Sequence, residues 1–284
     1  MMTRARTWLM VFMVVLTAML PVLAEARVTP EVTNGNKVND GDYPWLVSVQ
    51  MTKMDGNGAL RNHMCGGTLI DSTHVLTAAH CTIGKDDRTI PAKYYKVYYG
   101  STQLGERGRF EDVARVIAHP NYNPRAITFD AAILVLKRPI EGIEPIALPD
   151  AGDRAFSNER DRVTVAGWGS TKQFGGKKGY RIRSTRDMME ANIEVVSNER
   201  CKASLRRIGV TGVNGEKSFC AAEGGKDACY GDSGGPLFGM DGDTPIQVGI
   251  VSWGIGCGLG YPGVYTRLSD PSIRNWIADQ VRDS

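Results

Sequence analysis

Short apolar or alternating runs closed by turn residues recur along most of the chain: Trp45 to Gln50, Tyr94 to Tyr99, Ala131 to Leu136, Val163 to Trp168, Gln247 to Trp253 and Gly263 to Leu268. Such short runs, rich in Val, Ile and aromatic residues, favour strands over helices. The 33 glycines supply the turns and bulges that many short strands need. One helix is predicted, after the last strand. Asp270 is placed to cap it, Pro271 takes its first position, and Ile273, Trp276 and Ile277 form an apolar stripe. No internal repeat or low-complexity tract interrupts the pattern, which is that of an all-β chain.

The first residues follow a different rule. Arg4 and Arg6 precede an unbroken apolar run from Trp8 to Leu20, with small residues at Ala24 and Ala26, the pattern of a secretory signal over 1–26. The run falls short of the ~20 residues that cross a bilayer. The mature protein is therefore expected to be secreted, extracellular or periplasmic, without stable membrane association after signal removal. The formal charge of +3 marks no polyanion-binding surface, and no nucleic acid partner is expected. The one basic concentration, Lys172 to Arg186, reads as a solvated loop. Six cysteines suit an oxidising compartment and could pair in fifteen ways. With no Cys-x-x-Cys or His-Glu-x-x-His spacing, neither a metal nor another cofactor is expected.

Gly231-Asp232-Ser233-Gly234-Gly235-Pro236 places a serine in a glycine-rich turn whose backbone N–H groups can face a developing oxyanion. A serine hydroxyl needs a base to become a nucleophile, and the base needs a third group to set its tautomer. Thr77-Ala78-Ala79-His80-Cys81 supplies the base, and Thr128-Phe129-Asp130-Ala131-Ala132 supplies the carboxylate. Asp130 heads an apolar run, where an unpaired carboxylate would be costly, so a partner is expected. His63, His74 and His119 lack such a context and are read as surface or turn residues. His80, Asp130 and Ser233, in that order and with those neighbours, resemble the trypsin/chymotrypsin family of serine proteases, and the likeness runs from Val32 to Val281.

That resemblance implies an all-β fold of two six-stranded antiparallel β-barrels packed with the active site between them, and a C-terminal α-helix. The protease domain would span 32–284, with an N-terminal barrel at about 32–138, a C-terminal barrel at about 150–269 and the helix at 270–283. The resemblance selects the pairs Cys65–Cys81, Cys201–Cys220 and Cys229–Cys257. It makes His80, Asp130 and Ser233 the catalytic triad and the backbone N–H groups of Gly231 and Ser233 the oxyanion hole, with the Ser252 hydroxyl on Asp130. Asp227 becomes the floor of the primary substrate pocket, Ala228, Ser252 and Trp253 line it, and Gly254 and Gly263 leave its walls open to a long side chain. The implied substrates are proteins or peptides cleaved after Arg or Lys. Ala228, where many relatives carry serine, favours Arg. Proteinaceous protease inhibitors would fit the same cleft, and the protein is expected to be a monomer.

Departures from the family pattern matter too. Val32-Thr33-Asn34-Gly35 stands where the family's new N-terminus begins, whose ammonium pairs with the aspartate before the nucleophile, here Asp232. Residues 27–31 then form a short propeptide. Glu31 before Val32 calls for an activating protease of different specificity, acting in trans. Ser101 to Asp112 has few carboxylates for the calcium site of some relatives, and Pro262 argues against a sodium site. Met54 to Met64 and Lys172 to Arg186 read as extra loops bordering the cleft. Two other readings remain: a catalytically silent binding protein on the same fold, and a serine esterase using the same site.

Overall fold

The computed structural model describes residues 35–55, 58–105, 107–171, 184–211 and 213–283, without the side chains of 53–62. The signal segment, the propeptide, Val32 and most of the basic loop lie outside the described residues.

A two-residue strand, β1 (Asn36–Lys37), leads into six strands that close a first barrel: β2 (Leu46–Asp55), β3 (Gly58–Leu69), β4 (His74–Thr77), β5 (Tyr95–Tyr99), β6 (Arg109–Ala118) and β7 (Ala132–Leu136). Their order is β2-β3-β4-β7-β6-β5, and β5 returns to β2 with Val97 opposite Val49. A second set closes the other barrel: β8 (Arg162–Gly167), β9 (Met189–Val196), β10 (Ser218–Ala222), β11 (Pro236–Asp241), β12 (Thr244–Trp253) and β13 (Gly263–Arg267). Here the order is β9-β10-β13-β12-β11-β8, with β8 pairing back onto β9, and β1 adds to the edge of β9. All these pairings are antiparallel. The expected fold class, two six-stranded barrels and a C-terminal helix, is the one that forms.

The six apolar runs coincide with β2, β5, β7, β8, β12 and β13 to within a few residues at each end. Every residue of β7 is buried, which explains a strand that reads as a continuous apolar run. Other strands were hidden by their residue types. In β9, Met189, Ala191, Ile193 and Val195 are buried while Glu190, Asn192 and Glu194 are not, a clean period of two written partly in strand-poor residues. The Gly66-Gly67 pair lies inside β3. A Cβ on Gly66 would stand 2.8 Å from the Cα of Gly235, and one on Gly67 2.8 Å from Val75 Cγ1.

Two readings need correction. Met54 to Met64 is not a loop but the tip of the β2–β3 ladder, whose pairing continues to Asp55 and Gly58. A second helix, α1 (Asn198–Arg206), exists where none was predicted. Ser197 caps it by accepting the Arg200 N–H, but only Cys201 and Leu205 are buried, too small a stripe to stand out among charged residues. The predicted helix is α2 (Pro271–Arg282). Asp270 Oδ1 accepts the N–H groups of Ser272 and Ile273 at 3.1 and 3.3 Å.

The barrels share their packing. The Phe238 ring of β11 meets Tyr43 at 5.0 Å and Trp45 at 5.1 Å, both edge-on. Buried between them, Thr68 Oγ1 of β3 donates to Gln247 Oε1 of β12 at 2.6 Å. These contacts set one barrel against the other and so define the cleft.

Candidate active site

His80 sits in a single 3-10 turn (Ala79–Cys81) after β4, pinned beside β3 by the Cys65–Cys81 disulfide. Asp130 lies two residues before β7, with no exposed surface. Its Oδ2 accepts His80 Nδ1–H at 2.8 Å and the Ser252 hydroxyl at 2.5 Å, and its Oδ1 accepts the His80 backbone N–H at 2.9 Å. Burial alone would lower the imidazole pKa. The Asp130 charge and hydrogen bond outweigh it, and the pKa of His80 stands above that of a free imidazole. Among the described residues, Ser233 Oγ makes no hydrogen bond to His80. The two residues meet around the Cys81 sulfur, 3.6 Å from His80 Nε2 and 3.8 Å from the Ser233 carbonyl oxygen. Such contacts commonly tighten only with substrate bound.

The serine turn is locked by glycines. Gly231 and Gly234 have φ of 103° and 80°, and a Cβ on Gly234 would lie 2.2 Å from Thr77 Oγ1. The Gly66 N–H of the first barrel donates to the Ser233 carbonyl at 2.8 Å, so β3 holds a turn carried by the second barrel. Asp232 N–H donates to Cys229 O and Gly234 N–H to Val251 O. Among the described residues, the N–H groups of Gly231 and Ser233 have no protein acceptor. The Asp232 carboxylate turns inward, accepting Gly169 N–H at 2.7 Å and Cys229 N–H at 2.9 Å. A Cβ on Gly167 or Gly169 would fall 2.3 Å from its oxygens, so both positions must be glycine. Burial pushes the Asp232 pKa up to about 6, and the two N–H bonds only partly offset it.

A cavity of about 170 Å³ is lined by Ser233, Asp227, Ala228, Tyr230, Ser252, Trp253, Gly254 and Gly263, and the Cys229–Cys257 disulfide ties its wall. A Cβ on Gly263 would stand 3.1 Å from both Asp227 Oδ1 and Tyr265 Oη, and one on Gly254 would face Gly263 across the opening at 3.9 Å. Asp227 accepts the Gly258 N–H at 3.3 Å, and burial pushes its pKa up to about 7. All six cysteines are paired as the resemblance implied, Cys201–Cys220 included.

Of the remaining histidines, read as surface or turn residues, His119 does open a turn, its carbonyl accepting the Tyr122 N–H at 2.9 Å, but none of the three lies out on the surface. His74, in β4, and His119 are buried. His63, in β3, receives the Ser48 hydroxyl on Nδ1 and donates from Nε2 to the Gly231 carbonyl, both at 2.8 Å; burial pulls its pKa down to about 4, so it stays neutral. His63 thereby fixes the face that the Gly231 peptide turns toward the cleft, a role its sequence neighbours do not advertise. Tyr230, next to Gly231 and half exposed at the cavity, was also missed.

Two closed barrels with the serine turn between them and a helix at the end make up the trypsin fold. The Trypsin family model matches residues 32–277. A trypsin from Phaedon cochleariae is 35% identical over 259 residues, covering 88% of each chain. The chain belongs to the trypsin family of serine proteases.

Proposed function

We propose that this protein is an exported serine endopeptidase that cleaves peptide bonds after Arg, and less efficiently after Lys. What carries the reading is one cavity lined by both Ser233 and a buried carboxylate, Asp227, with glycine on both walls. A guanidinium entering it would meet the carboxylate as a fork, whereas the shorter lysine would have only Ala228 where a second acceptor could stand.

In this mechanism His80 Nε2 takes the Ser233 hydroxyl proton as Oγ attacks the scissile carbonyl, and Asp130 holds His80 in the tautomer that leaves Nε2 free. The unspent N–H groups of Gly231 and Ser233 receive the oxyanion, each such donor being worth roughly 2.7–4 kcal/mol in sites of this kind. His80 then returns the proton to the leaving amine, and water, deprotonated by the same imidazole, hydrolyses the acyl-enzyme. Because protonated His80 cannot act, activity is lost as pH falls through its raised pKa. Three disulfides fit an oxidising compartment, and among the described residues no helix is long and apolar enough to cross a membrane. The buried Asp232 supports synthesis as a zymogen, activated when cleavage between Glu31 and Val32, in trans, frees an ammonium for it.

A fluorophosphonate label with paired Arg and Lys peptides tests the reading. The activated protein should take the label at Ser233, Ser233→Ala should not, and kcat/KM should favour Arg by roughly tenfold. An unlabelled protein would be the silent binding protein of the same fold. Labelling with ester but no peptide turnover would make it an esterase.

A further inference from the structure

The loop that delivers Asp130 is held in a costly conformation. Ile127 and Phe129 have φ of 46° and 54°, a region that bulky and β-branched residues rarely enter. Two left-handed residues within three positions of a buried carboxylate need outside support. Some comes from within the loop: Asn123 N–H donates to Thr128 O at 3.1 Å, and Ala131 N–H to Phe129 O at 2.9 Å.

The remaining support reaches the Phe129 ring itself. His119 stacks on it at 4.9 Å with 24° between the planes, and Trp276 of α2 packs against His119 at 4.8 Å. The Lys217 ammonium lies 5.2 Å from the Phe129 centroid. That ammonium is itself fixed, donating to Oδ2 of Asp270, the cap of α2, at 2.9 Å and to Oγ of Ser272, in its first turn, at 3.1 Å. Beside it, Thr266 Oγ1 of β13 donates to the Asp130 carbonyl at 2.9 Å. The second barrel and α2 thus grip a loop of the first barrel.

We propose that Phe129 and Lys217 are positioning residues: the ring, held by His119 and Lys217, keeps the left-handed backbone that presents the Asp130 carboxylate to His80. The chemistry they serve is the general-base step of the proposed function, on which this inference rests. Removing the ring's contacts would let the loop relax toward ordinary backbone angles and draw Asp130 away from the imidazole. Small misplacements of this sort are costly, because the reacting groups act only in register.

The test uses the full activated protein and a small Arg substrate, with rates normalised to active sites counted by fluorophosphonate. Phe129→Leu keeps an apolar side chain but loses the ring stack and the cation contact, and should lower kcat roughly tenfold with KM nearly unchanged. The same variant should move the acid limb of kcat/KM to lower pH, because His80 loses part of the charge that raises its pKa. His119, stacked on the ring, is held below its ordinary pKa by burial, with Lys217 and Asp270 beside it; losing the ring would raise that pKa, and Asp227 and Asp232 lie across the cleft, so a limb displaced to lower pH reports His80. Phe129→Tyr, which preserves the ring, should restore both readings. Lys217→Met should shift them in the same direction by less, and it decides the matter should the Leu variant fail to fold. Wild-type kcat and an unmoved acid limb in both Phe129→Leu and Lys217→Met, with only Tm lowered, would overturn the proposal. A wild-type protein that takes no label would instead sink the protease reading beneath it.

Discussion

Asp130 and Asp232 are both fully buried, both lie at the cleft, and each adjoins a turn that presents a reacting group, yet they are stabilised in opposite ways. Asp130 is surrounded by side chains that folding itself brings in: the imidazole of His80 and the hydroxyl of Ser252, with the His80 N–H added. Asp232 has two backbone N–H groups and, among the described residues, no cationic side chain. The first site is complete once the two barrels pack. The second holds a carboxylate that burial drives toward protonation, an arrangement that a late-arriving positive charge can reward. Under the proposed function, one carboxylate would serve chemistry and the other control.

The largest expected effect tests the first site. Asp130→Asn should leave the fold intact and lower kcat about 10⁴-fold, because the amide no longer selects the required His80 tautomer. A loss of less than tenfold at neutral pH would make Asp130 structural only. Next comes the second site, and here the outcome should depend on the N-terminus. In a chain starting at Val32, Asp232→Asn should cost roughly 10²–10⁴-fold in kcat/KM, the equivalent of the ~3–5 kcal/mol lost when a buried ion pair is broken. In a chain starting at Arg27 the same substitution should change little, since that form should already be poorly active. Equal losses in both chains, or high activity of the Arg27 chain with no conversion to Val32 on N-terminal sequencing, would remove the zymogen account.

The smallest effect concerns stability against pH, measured as Tm in Ser233→Ala protein so that self-digestion cannot intrude. With the propeptide attached, burial raises the folded pKa of Asp232 from 3.8 to about 6. The folded state then binds the proton more tightly than the unfolded one, so stability should fall as pH rises from about 4 to about 6, by up to ~3 kcal/mol. Asp227, raised to about 7 mainly by burial and in smaller part by the Asp232 charge, acts with the same sign in both forms, so Asp232 dominates their difference. Pairing with the Val32 ammonium lowers the Asp232 pKa, so the cleaved form should lose this decline or reverse it. Parallel curves for the two forms would mean that the ammonium never reaches Asp232.

Much of this was legible in advance, and the failures have physical causes. Turn chemistry around Gly231 and Gly234, the apolar runs of β2, β5, β7, β8, β12 and β13, and the cap of α2 are local properties, written in adjacent residues. The disulfide pairs and pocket positions came through resemblance and not from spacing. Hidden from both was whatever depended on a distant neighbour. His63 looked featureless because its partners are the Ser48 hydroxyl and the carbonyl of Gly231, 168 residues away. Gly66 drew no reading because its reason for being glycine is the backbone of Gly235. Helix α1 was lost among charges that keep it soluble while two side chains anchor it.

By itself, the sequence determined which groups could react, because a serine between glycines, a histidine beside cysteine and an aspartate before an apolar run each carry their chemistry in a few residues. Only the tertiary structure decided which of them meet. His80 reaches Asp130 across 50 residues of chain and Ser252 reaches it across 122. Such contacts have no local signature: they form because two barrels bury their apolar faces together, and the buried Asp130 is then tolerated because hydrogen-bond donors from both barrels converge on it.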